Sequence, residues 1–436
     1  MSDFSFSVFW CFSFLTAPMR ILYFHQHFTT PTGSGGTRSY ELARALLARG
    51  HSVTMVCGSP GVAKLDLPLD PKRGWRRGMV DGIDVIALPL EYSNRDGLAK
   101  RAMTFARFGL RSLSVVMREK CDLVFATSTP LTAGVPGIVM KCLGRKTPFV
   151  FEVRDLWPEL PKALGLRNPI LLGAMSFLEW ASYRACDAAI GLSPGIVEGI
   201  RRRSPKDLPV AMVPNGCDLD LFHPRERAPL TLPGVNPGDF VAGFTGAHGP
   251  ANGLDAVLDA AAVLKKRGRS DVKLVFIGDG KDKDRLVARA RAEGLDNCVF
   301  LPPVPKRDIA RVTASFDCGL MILKNVPAFY YGTSPNKFFD YISSGIPVVN
   351  NYPGWLADLI GANRCGIAVP PDSPEVFADA LSRLADTPAA ERAAMGARGR
   401  TLAESEFSRE RLAKAFCEAL EAAHARSHHT SPGIGA

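Results

Sequence analysis

Short apolar runs alternate with amphipathic stretches along most of the chain, and this alternation predicts strands and helices in turn. In the first half the strand-like runs are RILYFHQ, SVTMVCG, DVIALPL, CDLVFATS, PFVFEV and DAAIGLS. The pattern begins again after residue 238 with DFVAGFTG, VKLVFIGDG, NCVFLPP, CGLMIL and IPVVNN, with helical patterns such as 254–268 and 282–294 between them. Strands that alternate with helices indicate a doubly wound, parallel α/β sheet. Two such series predict two Rossmann-like domains that face a central cleft.

Composition divides the chain further. The first residues are aromatic and apolar without a basic start, so we interpret them as a non-native extension, with a short membrane anchor as the alternative. The Pro, Asn, Gly and Asp-rich seam VPNGCDLDLFHP is typical of a connection between domains. The predicted bounds are 1–18 for the extension, 19–215 for the first domain, 216–225 for the linker, 226–400 for the second domain, 401–424 for a C-terminal helix and 425–436 for a disordered tail.

Charge is distributed unevenly between the two predicted domains. The chain carries a formal net charge of +10, and all of this excess lies in residues 1–215, whereas residues 216–436 are neutral. We therefore expect an anionic partner for the first half, and a membrane surface, a nucleic acid or an acidic small molecule would each fit. The ten cysteines include no Cys-x-x-Cys pair, which predicts neither a zinc site nor a disulfide framework and favours a reducing compartment.

A helix predicted from Leu98 to Lys120 carries a row of basic side chains. At about 100° per residue, the members of the row fall within roughly 20° of one line. They are Lys100, Arg107, Arg111 and Arg118. Such a row suits anionic headgroups or a diphosphate lipid, and the solvated face of a core helix is the alternative. Because no recognition motif or interleaved aromatic surface supports nucleic-acid binding, we expect membrane contact and no nucleic acid.

Glycine-rich turns recur after predicted strands. In FTTPTGSGGTRSYELARALLARGH the turn precedes an amphipathic helix, so its backbone N–H groups are able to approach a phosphate or a sugar. Arg38 stands in place of the third glycine of a dinucleotide fingerprint, which disfavours an NAD enzyme. GFTGAHGPANGLDAV opens the second domain with Gly246 beside His248, and FIGDGKDKDRL ends a later strand with Gly278. Plain strand-to-helix turns are the alternative for the first and third segments, and a structural or solvated histidine is the alternative for the second.

Charged residues also stand directly after a predicted strand of the first domain. The segment FEVRDLWPELP places Glu152, Arg154 and Asp155 where that strand should end at the cleft. Packing alone explains charged groups at such a place poorly, so we interpret them as candidates for the site.

The segment GTSPNKFFDYISSGIPVVN is interpreted as a helix start that faces an anion. Ser334 is suited to cap the helix, and Pro335 is suited to its first turn. The N–H groups of Asn336 and Lys337 would point at a diphosphate, to which Lys337 adds a full positive charge. Asp340, one turn further on, could accept hydrogen bonds from ribose hydroxyls. A capped core helix with a solvent-exposed lysine is the alternative.

Together these motifs resemble family 4 glycosyltransferases, which have the GT-B fold, particularly the bacterial branch that builds O-antigen and capsular polysaccharides. The motifs that carry the resemblance are GGTRSYELARALLARGHSVTMV, EVRDLWPE, VPNGCDLDLF, IGDG and SPNKFFDYISSGIPVV. The resemblance implies that the second domain binds a nucleoside diphosphate sugar. It also implies that the first domain binds the acceptor and touches the membrane.

The motifs and the resemblance give roles to individual residues. Those expected to act in catalysis are Lys337, Asp340, Arg154 and Asp155. Those expected to bind the donor are Gly35, Gly36, Gly246, His248, Gly278, Ser334, Asn336, Lys337 and Asp340. Those expected to meet the acceptor and the membrane are Lys100, Arg107, Arg111 and Arg118. No metal or cofactor is expected beside the nucleotide sugar, because cations and helix amides are able to stabilise the leaving diphosphate.

Several positions depart from the pattern of the family. Gly332 stands eight positions before Asp340, where relatives carry the acidic residue that is expected to hold the donor sugar. Ala247 and Asn252 stand in the loop where many members carry an arginine and a lysine, and Arg154 lies where several relatives place a histidine near the sugar. The charge of the diphosphate must then be met mainly by the lysine at the helix start.

The resemblance implies a retaining glycosyltransferase. By resemblance, it moves an N-acetylated amino sugar from a UDP-linked donor to a polyprenyl diphosphate-linked saccharide in surface polysaccharide synthesis. We expect a peripheral protein at the cytoplasmic face of the inner membrane. Two alternatives remain open, namely a nucleotide-sugar epimerase that uses the same cleft, and a non-catalytic, membrane-docked partner of a polysaccharide assembly complex.

Overall fold

The computed structural model describes residues 17–33, 36–62, 65–93, 96–224 and 232–429. Within these ranges the chain forms two α/β domains, each built on one sheet. Predictions that concern residues 1–16, Gly35, 225–231 and 430–436 lie outside the described residues.

The first domain contains a nine-stranded sheet. Its strands are β1 (Arg20–Phe24), β2 (Ser52–Gly58), β3 (Leu69–Asp70), β4 (Trp75–Val80), β5 (Ile83–Leu88), β6 (Leu123–Thr127), β7 (Phe149–Val153), β8 (Ala188–Gly191) and β9 (Val210–Met212). Their order is β3-β4-β5-β2-β1-β6-β7-β8-β9, and neighbours are parallel except in the two pairs that include β4. Its helices are α1 (Arg38–Ala48), α2 (Leu98–Arg118), α3 (Val135–Cys142), α4 (Glu159–Ala163), α5 (Pro169–Ala185) and α6 (Pro194–Arg203).

The second domain contains a six-stranded parallel sheet. Its strands are β10 (Phe240–Thr245), β11 (Val272–Ile277), β12 (Cys298–Leu301), β13 (Cys318–Met321), β14 (Val348–Asn350) and β15 (Gly366–Ala368). The order β12-β11-β10-β13-β14-β15 is that of a doubly wound, dinucleotide-type sheet. Its helices are α7 (Asp255–Lys266), α8 (Lys283–Ala292), α9 (Lys306–Ala314), α10 (Pro327–Tyr330), α11 (Asn336–Ser343), α12 (Trp355–Asn363), α13 (Pro374–Asp386) and α14 (Ala389–Glu406), and α15 (Arg409–His429) follows.

Helices cover both faces of each sheet. One face of the first sheet packs on α1 and α15, and the other face packs on α2, α3 and α5. Every residue of β10 and of β11 is buried. Burial on both faces explains why these strands are continuous apolar runs in the sequence. None of the described helices is both long and apolar enough to cross a membrane.

The end of the chain differs from the prediction of one helix at 401–424 and a disordered tail from 425. α14 ends at Glu406, and α15 continues as a helix to His429. α15 returns to the first domain, where Phe416 and Leu420 are fully buried in its core and Glu421 pairs with Arg49 at 2.7 Å. The predicted helix therefore consists of parts of two helices, and the second of these packs on the first sheet and extends past residue 424 to His429.

Candidate active site

The candidate site lies in the cleft where the carboxyl ends of β10 and β13 face the first domain. The strand order reverses between these two neighbouring strands, and such a switch point opens a crevice for ligands. α11 begins there, and a Cβ added to Gly246 would lie 3.6 Å from Cε of Lys337. The loop before α1 closes the cleft from the other domain, since a Cβ on Gly36 would lie 3.2 Å from Nδ2 of Asn336.

Lys337 places a cation inside this cleft. Its Nζ donates a hydrogen bond of 2.7 Å to Oδ1 of Asn252 and lies 4.8 Å from the centre of the Phe244 ring. Asn252 in turn donates to the carbonyl oxygen of Ala247 at 2.7 Å. Burial lowers the pKa of Lys337 to about 8, and the nearby carboxylate of Asp340 opposes this shift. A partly desolvated ammonium at a helix N-terminus is suited to hold an anion such as a diphosphate.

Ser334 does not cap α11 as the sequence predicted. The N-cap position is Pro335, which was expected in the first turn, and the helix has no side-chain cap. The Oγ of Ser334 instead accepts a hydrogen bond of 2.9 Å from the backbone N–H of Asn215, whose side-chain amide also donates to the Ser334 carbonyl. The chain just before the helix is therefore held by Asn215, which belongs to the segment 213–224 that connects the domains after β9 and is called the linker from here on.

Two family models match the sequence, one in each domain. The model described as "Glycosyl transferase 4-like domain" matches residues 33–216, and the model described as "Glycosyl transferases group 1" matches residues 233–402. The chain belongs to the group 1, family 4 glycosyltransferases. The predicted glycosyltransferase family and the predicted enzyme class are therefore confirmed, whereas the O-antigen and capsular branch stays a prediction.

A curated relative agrees with this family. D-inositol 3-phosphate glycosyltransferase of Nocardia farcinica is 29% identical over 236 residues, which are 52% of this chain and 50% of the relative. The chain spans about half the length of this curated relative.

Two solved structures superimpose over both domains. Sucrose-phosphate synthase of Thermosynechococcus elongatus gives a TM-score of 0.74 at 19% identity, with 93% of this chain and 99% of that chain covered. HepE of Anabaena, solved in complex with UDP and glucose, gives a TM-score of 0.65 at 17% identity, with 92% and 99% covered. These likenesses confirm the GT-B fold.

In this glycosyltransferase the ring of His248 lies beneath the loop after β10, and not in the cleft where it was predicted to bind the donor. Its side chain is 0% exposed, and its ring centre lies 5.9 to 6.3 Å from the ring centres of Phe244, Phe276 and Phe300. Because burial disfavours the charged imidazolium, the pKa of His248 falls to about 4. The histidine therefore fills the space under the loop as a neutral aromatic ring.

Gly246 and Gly278, both predicted to bind the donor, form two turns that touch. Their φ angles are +139° and +151°, and a Cβ on Gly278 would lie 1.9 Å from the carbonyl oxygen of Gly246. Glycine is required at this contact, because any side chain would push the two turns apart. Lys283 stabilises the same turns, since its Nζ donates to the carbonyl oxygens of Gly278 and Leu301 at 2.6 and 2.8 Å.

The wall of the cleft that belongs to the first domain includes Arg154 and Asp155, directly after β7. The backbone N–H of Arg154 donates to Oγ of Ser128 at 2.9 Å. Burial raises the pKa of the Asp155 carboxyl, and the charge of Arg154 opposes this shift. Burial, assisted by the charges of Arg154 and Arg101, lowers the pKa of His27 to about 4. Two guanidinium groups and one carboxyl group therefore lie around a neutral imidazole in this part of the first domain.

Gly332 has no room for the carboxylate that the family pattern places there. A Cβ on Gly332 would lie 2.4 Å from the carbonyl oxygen of Ala328 in α10. Asp340 lies one turn after Lys337 in α11, and its charge acts on the ammonium. The chain therefore keeps the second acidic residue of the family motif, Asp340. At the position of the first it has Gly332, which packs against the backbone of α10.

The four basic residues predicted to meet the acceptor and the membrane all lie on the exposed side of α2. Met103, Leu110 and Met117 form an exposed apolar row beside them, with 54%, 66% and 46% of their surface accessible. On α5, Phe177 and Trp180 are 66% and 45% exposed. α3 packs against both helices, so these side chains lie on one side of the first domain.

Sequence reasoning missed residues that hold the site together. Asn215 was placed in the seam without a role, and Asn252 was noted only as the absence of a cation. Glu152 was left as a candidate for the site, but it is 0% exposed and is bound by Arg38 and by Thr127 Oγ1 at 2.9 Å. Its charge is explained by that ion pair rather than by a ligand. The only sign of this ion pair in the sequence was Arg38, which stands where a dinucleotide-binding turn has its third glycine.

Proposed function

We propose that the chain is a retaining glycosyltransferase that takes its sugar from a UDP-linked donor. The observation that carries the proposal is the position of Lys337, whose ammonium lies at the start of α11 beside the loop after β10. The residue before it, Asn336, meets Gly36 of the other domain across the cleft. The first N–H groups of a helix add positive potential at such a place, so a diphosphate would be held by both. A uridine donor is supported by the UDP that is bound in the structure of Anabaena HepE.

In the proposed reaction an acceptor hydroxyl oxygen attacks the anomeric carbon from the face that the diphosphate leaves. The new glycosidic bond forms as the bond to the diphosphate oxygen breaks, through an oxocarbenium-like state. An oxygen of the leaving phosphate takes the proton of the hydroxyl, so the products are the glycoside and a nucleoside diphosphate. Lys337 stabilises the negative charge that develops on the leaving group. Arg154 and Asp155 face the reacting groups from the first domain.

The transferred sugar is proposed to be an N-acetylated amino sugar, as the resemblance to O-antigen and capsular enzymes implies. Glycine at position 332 removes one family contact to this sugar. The choice of sugar then depends on other groups around the cleft, among them the loop after β10 and Arg154.

We propose an acceptor that carries a phosphate or a diphosphate. The guanidinium groups of Arg101 and Arg154, which both act on His27, suit such an anion, and the exposed apolar and basic rows of α2 suit a lipid surface beside it. These features favour a polyprenyl diphosphate-linked saccharide at the cytoplasmic face of the inner membrane, with the protein bound peripherally. A phosphorylated cyclitol is the second candidate, because the curated relatives are named D-inositol 3-phosphate glycosyltransferases.

The proposal is tested by incubating the protein with a panel of UDP-sugars, first alone, then with a short-chain polyprenyl diphosphate N-acetylglucosamine, and then with inositol 3-phosphate. We expect release of UDP only when one acceptor is present. Conversion of the donor sugar without an acceptor would instead indicate an epimerase. Binding to anionic vesicles without release of nucleotide in any mixture would indicate a non-catalytic, membrane-docked protein.

A further inference from the structure

Arg38 stands where a dinucleotide-binding turn has its third glycine, and the structure shows why an arginine is accommodated. Its side chain is 9% exposed and reaches Oε2 of Glu152 through Nε at 3.1 Å and through Nη2 at 2.9 Å. Glu152 has no exposed surface at the end of β7. Burial of an ion pair costs more than the pair returns unless the remaining donors are also satisfied.

The remaining donors of Arg38 bind the chain where it leaves the first domain. Its Nη1 donates to the carbonyl oxygen of Pro214 at 2.5 Å, and its Nη2 donates to that of Val213 at 2.8 Å. These two residues directly follow β9 and begin the crossing to the second domain. The guanidinium therefore fixes the linker to the first turn of α1.

The next residue of the linker extends this connection to the donor side of the cleft. Asn215 binds Ser334 through its backbone N–H and through its side-chain amide. Ser334 stands two residues before α11, whose first residue faces Gly36. Gly36 in turn lies two residues before Arg38. A closed path therefore runs from Arg38 through the linker to α11, and back across the cleft to the loop before α1.

Helix α1 also holds the second segment that crosses between the domains, which is the chain between α14 and α15. The linker and the chain before α15 pair at Cys217, whose N–H donates to the carbonyl oxygen of Phe407 at 2.7 Å. Arg409 joins this pair to Glu41 of α1 at 3.1 Å and to Asp218 of the linker at 2.9 Å. Both crossings are thus attached to the N-terminal turn of α1.

We propose that Arg38 is a positioning residue for sugar transfer, which acts through Asn215 and Ser334. By fixing the linker it sets the separation between the Gly36 loop and the start of α11, and so the width of the cleft that receives the diphosphate. The inference rests on the proposed function, in which the donor diphosphate is held at α11. Arg38 itself does not contact the donor, because its described donors are directed to Glu152 and to the linker.

The test compares Arg38→Gln with Arg49→Gln. Arg49 is a matched control, since it follows the other end of α1 and pairs with the carboxylate of Glu421 away from the linker. For Arg38→Gln we expect kcat to fall about 100-fold, the loss typical of a misplacement of about 1 Å. The Kd for UDP should stay within about threefold, because Lys337 and α11 belong to the second domain. Arg49→Gln should lower the melting temperature but leave kcat within about twofold.

Two results would overturn the inference. Loss of UDP affinity in proportion to kcat in Arg38→Gln would place the guanidinium on the donor itself. Equal losses of kcat in both variants would assign Arg38 a structural role only. If Arg38→Gln does not fold, Asn215→Ala removes the next bond of the path, and the same split between kcat and Kd is expected from it.

Small-angle X-ray scattering separates this inference from the proposed function. Wild type should have the same compact radius of gyration with and without UDP, whereas Arg38→Gln should be expanded in both states, because UDP bound by the second domain alone does not favour the compact form. That result supports the positioning role even if no acceptor is found for wild type. An unexpanded Arg38→Gln protein would contradict it even if transfer is observed.

Discussion

The ammonium of Lys337 donates a 2.7 Å hydrogen bond to the side-chain oxygen of Asn252, and this contact joins the loop after β10 to the start of α11. By resemblance, relatives carry cations in that loop. Here the loop offers an acceptor instead, which orients one lysine and adds no charge of its own. The positive charge for a diphosphate is therefore concentrated on Lys337 and on the helix amides behind it.

Replacement of Lys337 should cost more activity than replacement of Asp340. Lys337→Ala removes a preorganised cation from the leaving group and should lower kcat/KM by about 100- to 1,000-fold. Asp340→Asn keeps hydrogen-bonding capacity toward ribose and should lower it by only about tenfold. Steady-state release of UDP measures both, with the exposed Lys266→Ala as the control. Equal, small losses in the two variants would contradict the assignment.

The affinity for UDP should fall at alkaline pH. The pKa of Lys337 is lowered to about 8 in the unliganded protein, so the ammonium loses its proton as the pH rises through that value. Only the protonated form attracts the diphosphate, and binding should therefore weaken about tenfold between pH 7 and pH 9. Isothermal titration calorimetry across this range measures the effect. Lys337→Ala should bind weakly at both values, and a wild type with constant affinity would refute the role of this lysine.

The stability of the unliganded protein should rise with pH in the same region. The folded pKa of Lys337 lies below its ordinary value of 10.5, so the unfolded chain binds more protons between about pH 8 and pH 10.5. The penalty for the buried charge is then fully present below pH 8 and disappears above pH 10.5. Lys337→Met should raise the melting temperature by about 2 °C at pH 7, and by less at pH 10. Melting curves that shift equally at the two pH values would contradict this account.

Strand prediction succeeded where a strand is buried on both faces. β10, β11 and β13 are fully buried and appear in the sequence as continuous apolar runs. The prediction missed β3, β4, β9 and β15. β3, β9 and β15 are only two or three residues long. β4 is antiparallel to its neighbours β3 and β5, and part of its surface is exposed to solvent. Such short strands form because they pair with a neighbouring strand, and the periodicity of their own sequence does not reveal that pairing.

The candidate site was only partly accessible from the sequence for a similar reason. Lys337 could be found because a helix start with a lysine has a local pattern. The bonds from Arg38 to Pro214 and from Asn215 to Ser334 join residues separated by 176 and 119 positions, and no local pattern encodes them. His248 was misplaced because its three phenylalanine neighbours come from three different strands or strand ends.

The exposed side of α2 should bind anionic membranes. Each cation near such a surface contributes about 1 kcal/mol, so the double variant Arg107→Glu/Arg111→Glu should weaken binding to vesicles with anionic lipid by roughly 30-fold or more. Co-sedimentation with these vesicles at low and high salt measures the effect. The control is Arg291→Glu, at an exposed position of α8 in the second domain. Equal binding by wild type, the double variant and the control would contradict the proposal that α2 binds the membrane.

The family carboxylate should not be recoverable by a single substitution at position 332. In Gly332→Glu the new Cβ would lie 2.4 Å from the carbonyl oxygen of Ala328, so the end of α10 would have to move. That displacement should cost about 1–3 kcal/mol and should lower the melting temperature. Because the backbone would be displaced, the new carboxylate would not reach the position that it has in the family. We therefore expect the KM for the donor to rise about tenfold without a change in the preferred sugar. Gly249→Ala is a suitable control, because a Cβ at that position of the loop after β10 meets nothing within 4 Å. A stable Gly332→Glu protein with a new sugar preference would show that the loop adapts and that specificity resides at this residue after all.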